Sequence, residues 1–333
     1  MDGLPVGSIV LVGGAALLGF VLWKKRIAQE EDEEFALDMS IDNEFEAGTG
    51  LKKFSYGELF CATNNFAEEP KLGEGGFDGV YRGFLRESNS YVVVKRISKG
   101  SKQGRKEYTS EVKILSRLRH KNFLQLVGWC DNKRELLLIY EFMENRSLDY
   151  HLFKEKSLLT WAIRYKIAQG LASALLYLHE ERKQCVAHRD VKPSNVLLDS
   201  NFNAKLVDFE LARLVGHGKE LQTTVLAGTM ELDVYSFGVA LLEIACGRKP
   251  IDLNVPGSQM RIVEWMCPDF VQEEMECLMI VRLWCTHLDH NLRPSIKQAI
   301  HMLNFEAPLP ILPTKMPMAT YSAPPMNTSP LVS

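Results

Sequence analysis

The sequence predicts an α+β chain in two lobes, a small β-rich one followed by a larger helical one, behind an N-terminal transmembrane helix. Three observations carry this. Leu4 to Trp23 is a 20-residue stretch without a charge. Tyr91-Val92-Val93-Val94 and Leu136 to Phe142 read as short strands. After them, Trp161 to Glu181, Asp233 to Cys246, Glu273 to His287 and Pro294 to Asn304 read as helices.

As a helix rising 1.5 Å per residue, the first stretch spans roughly 30 Å, the thickness of a hydrocarbon core. Lys24, Lys25 and Arg26 follow it and only Asp2 precedes it, which places the rest of the chain in the cytoplasm. A cleaved signal peptide would carry its charges before a shorter apolar run, so an anchor is the better reading. Residues 24–53 form an acidic juxtamembrane linker, with nine acidic residues from Glu30 to Glu46. Residues 306–333 hold seven of the fourteen prolines and read as an extended tail. One folded unit remains, residues 54–305, with its smaller lobe at about 66–143 and its larger lobe at about 144–305. Between the first strands, Arg105 to Arg119 has helical spacing, with Val112, Leu115 and Leu118 on one face. Two lobes leave a cleft between them, a usual place for a ligand.

The 333 residues are 46% hydrophobic and 24% charged, which excludes a wholly disordered chain. With 39 basic and 42 acidic residues there is no basic excess, so nucleic acid is not an expected partner. The seven cysteines are odd in number and form no C-x-x-C pair; they read as buried small hydrophobes in a reducing compartment.

Chemistry concentrates in four places. Lys71 to Val80 carries glycines at Gly73 and Gly75, where a backbone can approach phosphates closely. Lys95 ends a strand and Glu111 lies sixteen residues on, along the amphipathic helix. Such a pair can aim an ammonium at phosphate oxygens. His188-Arg-Asp-Val-Lys-Pro-Ser-Asn195 follows, and then Asp208-Phe209-Glu210. Carboxylates at Asp190 and Asp208 with an amide at Asn195 suit one base and two magnesium ligands.

On these motifs the chain resembles the eukaryotic protein kinase domain over nearly all of residues 54–305. Phe54-Ser-Tyr-Gly-Glu-Leu, Ala62-Thr-Asn-Asn-Phe66, Leu126-Val-Gly-Trp-Cys130 and Asp233-Val-Tyr-Ser-Phe-Gly238 make it similar to the kinase part of plant L-type lectin-domain receptor kinases, without the lectin domain. The resemblance implies a bilobal kinase fold, ATP and Mg2+ as cofactors, and transfer of phosphate to Ser or Thr hydroxyls. It implies protein substrates or partner receptor kinases, a single-pass plasma-membrane location and a defence or stress-signalling role. Its roles fall on Asp190 as catalytic base, Lys192 at the γ-phosphate, Lys95 at the α/β-phosphates with Glu111 as its partner, and Asn195 and Asp208 at magnesium. Leu72, Gly73, Gly75, Val80, Val93, Lys95, Tyr140, Glu141, Met143 and Leu197 are implied to surround the nucleotide, with Tyr140 as gatekeeper. Leu115, His188 and Phe209 are implied to stack into a spine, and Asp233 to anchor the catalytic loop.

Four departures bear on activity. Asp78 stands at the third glycine, Val93 at a usual alanine, and Glu210 at the glycine of D-F-G. Ala227-Gly-Thr-Met230 runs directly into Glu231-Leu-Asp233, so the segment that would form the peptide floor is short and Arg293 loses its usual glutamate, with Glu231 as a substitute. A second shortening falls between Trp265 and Glu273. Thr223, Thr224 and Thr229 are left in the activation segment. The leading expectation is an active Ser/Thr kinase. The alternatives are an ATP-binding pseudokinase or scaffold, and a truncated product that folds poorly.

Overall fold

The structure, a computed structural model, describes residues 51–67, 71–74, 78–98, 104, 108, 111–112, 114–132, 135–154, 159–182, 184–209, 211–215, 225–249 and 269–312. The expected membrane span Leu4 to Trp23, the candidate residues Gly75, Glu210, Thr223 and Thr224, and most of the expected linker and tail lie outside them. Among the described residues no helix is long and apolar enough to cross a membrane.

The N-terminal lobe is one six-stranded sheet. Its strands are β1 (Lys52–Lys53), β2 (Lys71–Glu74), β3 (Asp78–Leu85), β4 (Ser90–Ser98), β5 (Leu126–Asn132) and β6 (Glu135–Glu141). Their order is β1-β5-β6-β4-β3-β2, with β1 parallel to β5 and every other pair antiparallel. The alternation of β4 splits its residues between two cores. Val92 and Val94 pack outward with Leu137, Ile139 and Cys130. Val93 and Lys95 pair with Tyr140 and Leu138 on the opposite face, which looks into the cleft.

The outer core is closed by α1 (Tyr56–Ala62), whose Leu59 is fully buried. Ser55 caps it, its hydroxyl accepting the Glu58 N–H at 3.2 Å. Strand β1 lies at the end of the residues read as the linker, where Lys52 and Lys53 join the sheet edge. Gly128 permits this: a Cβ there would lie 2.1 Å from the Lys52 carbonyl oxygen.

A helix containing Glu111, Val112, Ile114 and Leu115 packs Val112, Ile114 and Leu115 into the core that continues through both lobes. The C-terminal lobe is built on α2 (Trp161–Leu176), which turns into a π-helical turn at Tyr177–Glu181. Buried residues surround α2 on several sides, as in a central helix. The strands β7 (Cys185–Ala187), β8 (Val196–Leu198), β9 (Ala204–Leu206) and β10 (Arg213–Val215) form two short antiparallel pairs, β7 with β10 and β8 with β9. The remaining helices are α3 (Val225–Cys246), α4 (Gln272–Cys285) and α5 (Ile296–Leu303), the last held by a Ser295–Gln298 capping box.

Helix α3 starts eight residues before the expected Asp233, so Thr229 is helical and not part of a loop. With the intervening segment so short in sequence, the residues before Asp233 continue α3 as helix. Cysteines 130, 246, 277 and 285 are buried as expected, but Cys61 is exposed and Cys185 half-buried.

Glu243 lies on α3, 8% exposed, and burial lifts its carboxyl to about 7, against the pull of Lys249. Its folded value is above its unfolded one, so the folded state binds the extra proton between pH 4.5 and about 7. Stability is therefore expected to fall as pH rises through that window. Glu243→Gln is expected to gain on the order of 2 kcal/mol at pH 8 and to flatten the profile, read by denaturant unfolding at several pH values.

Candidate active site

A cavity of about 280 Å³ lies between the lobes. Val80, Val93, Leu115, Leu124, Leu197 and Val207 give it apolar walls. Lys95, Glu111, Asn195 and Asp208 bring charge and amide groups to the same space, with Tyr140 and Phe209. Val80 pairs with Lys95 across β3 and β4, which sets the apolar roof beside the ammonium.

The Lys95 ammonium meets the Glu111 carboxylate at 3.0 Å, with both side chains largely buried. The other Glu111 oxygen accepts the Tyr140 hydroxyl at 2.7 Å. Burial, reinforced by Glu111, pushes the Tyr140 phenol well above its ordinary range, so it stays a neutral donor. One carboxylate thus fixes both the lysine and the tyrosine, and sequence spacing alone gave no sign of the second contact.

Across the cleft, the loop from His188 to Asn195 is pinned from below by Asp233, which is fully buried. Asp233 Oδ2 accepts the His188 N–H at 2.8 Å, and Oδ1 accepts the Arg189 N–H at 2.6 Å. His179 Nε2 also meets Oδ2, at 3.0 Å. Arg189 has φ 71° and Asp208 has φ 67°, both in the left-handed region that side chains disfavour by roughly 1–2 kcal/mol. The bonds from Asp233 hold Arg189 there.

Burial lowers the His188 imidazole below its usual value and keeps it neutral. Its Nε2 donates to the Val207 carbonyl at 3.0 Å and its Nδ1 accepts the Asp190 N–H at 3.3 Å. The ring also stands edge-on to Phe209, centroids 4.8 Å apart, and Phe209 packs on Phe123 at 5.8 Å. His188 and Phe209 therefore stack as the sequence implies; Leu115 lines the same cavity.

Asp190 Oδ2 accepts the Lys192 ammonium at 2.6 Å and the Asn195 amide at 2.9 Å. Asn195 Nδ2 also donates to the Asp190 carbonyl at 3.0 Å. This use of the nitrogen leaves the Asn195 side-chain oxygen, a hard ligand, beside the Asp208 carboxylate in the same cavity.

Other expectations fall differently. Glu141 ends β6 and Met143 follows it, buried; neither belongs to the cavity lining, while Tyr140 does. Leu72 and Gly73 lie on β2, and Asp78 opens β3 opposite Ile97; their side chains lie outside the description. Leu124 and Val207 were not singled out from sequence. Val207 had a signal, since it precedes Asp208; Leu124 sits in a connecting segment with none. Arg293 does find Glu231, but through the backbone: its Nη1 donates to the Glu231 carbonyl at 3.3 Å. The Glu231 carboxylate instead meets His290 at 3.0 Å, and Arg293 stacks over Tyr235 at 4.9 Å.

A β-sheet lobe above a helical lobe, with a buried lysine–glutamate pair facing a pinned H-R-D loop, defines a kinase-type fold. A family model for the protein kinase domain matches residues 66–305, and the chain belongs to that family. It is 49% identical to L-type lectin-domain containing receptor kinase IX.1 of Arabidopsis thaliana, over 98% of this chain and 56% of that protein. Receptor kinase IX.2 of the same organism is 45% identical over 96% of this chain and 53% of its own length. Receptor kinase SIT2 of Oryza sativa subsp. japonica is 40% identical over 93% and 50%. The chain spans about half the length of the curated relatives it matches. The alignment with IX.1 runs over 362 residues, longer than the 333 here, so that relative carries segments this chain lacks.

Proposed function

We propose that this chain is a membrane-anchored receptor-like Ser/Thr protein kinase that transfers the γ-phosphate of ATP to Ser and Thr hydroxyls. The observation that carries it is the meeting of Lys95, held by Glu111, with Asn195 and Asp208 in one cavity beside Asp190. In this reading residues 4–23 anchor the chain and the kinase faces the cytoplasm.

The donor set fits magnesium: a carboxylate at Asp208 and an amide oxygen at Asn195 are hard oxygen ligands, with an ammonium for phosphate nearby. Magnesium, when bound, neutralises phosphate charge during transfer. Lys95 binds phosphate oxygens, and Glu111 fixes where its ammonium points. The apolar walls from Val80, Val93 and Leu197 hold the purine and exclude water. Asp190 Oδ2 is occupied by Lys192 and Asn195, so Oδ1 takes the proton of the attacking hydroxyl. Lys192 then balances charge on the transferred group. Lysine at this position is the Ser/Thr form. Most of the rate comes from positioning and fixed charge.

The test is magnesium-dependent transfer of labelled γ-phosphate by the purified chain to a generic protein substrate, followed by phosphoamino-acid analysis. Phosphoserine and phosphothreonine are expected. Phosphotyrosine alone, or nucleotide binding without any transfer, would overturn the proposal, the second marking a binding module instead.

A further inference from the structure

A second cavity, about 420 Å³, opens between α2, the β8–β9 turn, the segment before β5 and the end of α5. It shares no lining residue with the cleft between the lobes. Lys121, Lys166 and Lys205 reach it from three separate segments, against a single carboxylate, Asp199.

That carboxylate is already engaged. Asp199 Oδ1 accepts the backbone N–H groups of Asn201 and Asn203, both at 2.9 Å, and Oδ2 accepts the Asn203 amide at 2.8 Å. Among the described residues Lys166 donates to a neutral group, the Asn201 carbonyl, at 3.1 Å. Lys205 has a side chain only 14% exposed and lies 3.7 Å from Glu141. Lys121 makes no ion pair with a described residue. The floor is rigid: the buried Asn122 amide donates to the Ala204 carbonyl at 2.8 Å, and a Cβ on Gly170 would lie 2.9 Å from that nitrogen. An ordinary solvated face spreads its lysines among carboxylates. Here three lysines line one concavity, Lys205 paired with Glu141 and Lys121 and Lys166 without an ion pair to a described residue, in a chain whose net charge is -3. A polyanion complements such a basic wall, and a concave wall strengthens its attraction.

We propose that this cavity binds a small molecule or headgroup carrying several phosphates, seated on Lys121, Lys166 and Lys205. Free inositol hexakisphosphate, inorganic phosphate, and phosphatidylcholine vesicles with and without phosphatidylinositol bisphosphate are the probes. Binding to the purified full chain is measured by calorimetry and vesicle flotation.

Inositol hexakisphosphate is expected to bind more tightly than inorganic phosphate, and to stay bound at saturating levels of a non-hydrolysable ATP analogue. Lys121→Gln with Lys166→Gln is expected to weaken binding about tenfold or more, while the Arg pair at both positions stays within about threefold. Both lysines are exposed, so these variants are expected to keep the wild-type thermal transition; if the double variant does not, the two single Gln variants are read instead. Binding to the free compound marks a soluble ligand, and binding to phosphoinositide vesicles alone marks a lipid headgroup. Equal affinity in the Gln variants, displacement by the ATP analogue, or no binding to any probe would overturn the proposal.

Discussion

Replacing Asp190 by asparagine is expected to slow phosphate transfer by about 10²–10⁴-fold with the fold intact. The amide keeps the size of the side chain and one oxygen to accept the Asn195 or Lys192 bond, but it cannot take up a proton. Asp190 is about a quarter exposed, and the carbonyl oxygen of the new amide can still accept from the buried Asn195. Nucleotide affinity should change little, because Asp190 is not part of the cavity lining. The measurement is kcat for transfer beside the thermal transition of the same protein. A variant with near wild-type transfer would remove Asp190 from the role of base. A variant that melts early would show instead that the Lys192–Asp190–Asn195 cluster is structural.

Asp233→Ala is expected to act through stability first. Asp233 is fully buried, and its two oxygens serve the His188 and Arg189 amides and the His179 ring. Removing them leaves three buried donors unpaired and frees Arg189 from its left-handed conformation. Losing one partner of a buried charged network costs about 3–5 kcal/mol, a large fraction of a typical domain stability. Denaturant unfolding should show that loss, and the surviving folded fraction should transfer phosphate poorly because Asp190 follows Arg189 directly. Asp233→Asn should fall between, since its one carbonyl oxygen can satisfy only part of the set. A loss below about 1 kcal/mol in the alanine variant would mean that the loop is held from elsewhere.

Much of this was legible in the sequence because the chemistry is local. His188 to Asn195 and Asp208-Phe209 are short runs whose residues act within a few positions of one another. The pleat of Val92, Val93 and Val94 already separates two faces, and the structure assigns them to the outer core and the cleft. Contacts made by tertiary packing were not legible. Two residues at Lys52–Lys53 are too few to show a strand period, and they pair only because Gly128 leaves room. The early start of α3 follows from where the chain must enter the lobe, which no motif records. Arg293 was matched to Glu231 by charge, yet the bond goes to a carbonyl while the carboxylate turns to His290. Tyr140 bonding to Glu111 likewise depends on how far the helix sits from β6.

The buried Lys95 and the Asp208 carboxylate line one cavity, where both are expected to serve one nucleotide. Binding of a fluorescent ATP analogue, with and without magnesium, to the wild-type chain, Lys95→Met and Asp208→Asn tests this most directly. The wild type should bind more tightly with magnesium, and Lys95→Met should lose about tenfold or more in affinity under both conditions. Asp208→Asn should bind alike with and without the metal. Full magnesium-dependent affinity in both variants would contradict the account.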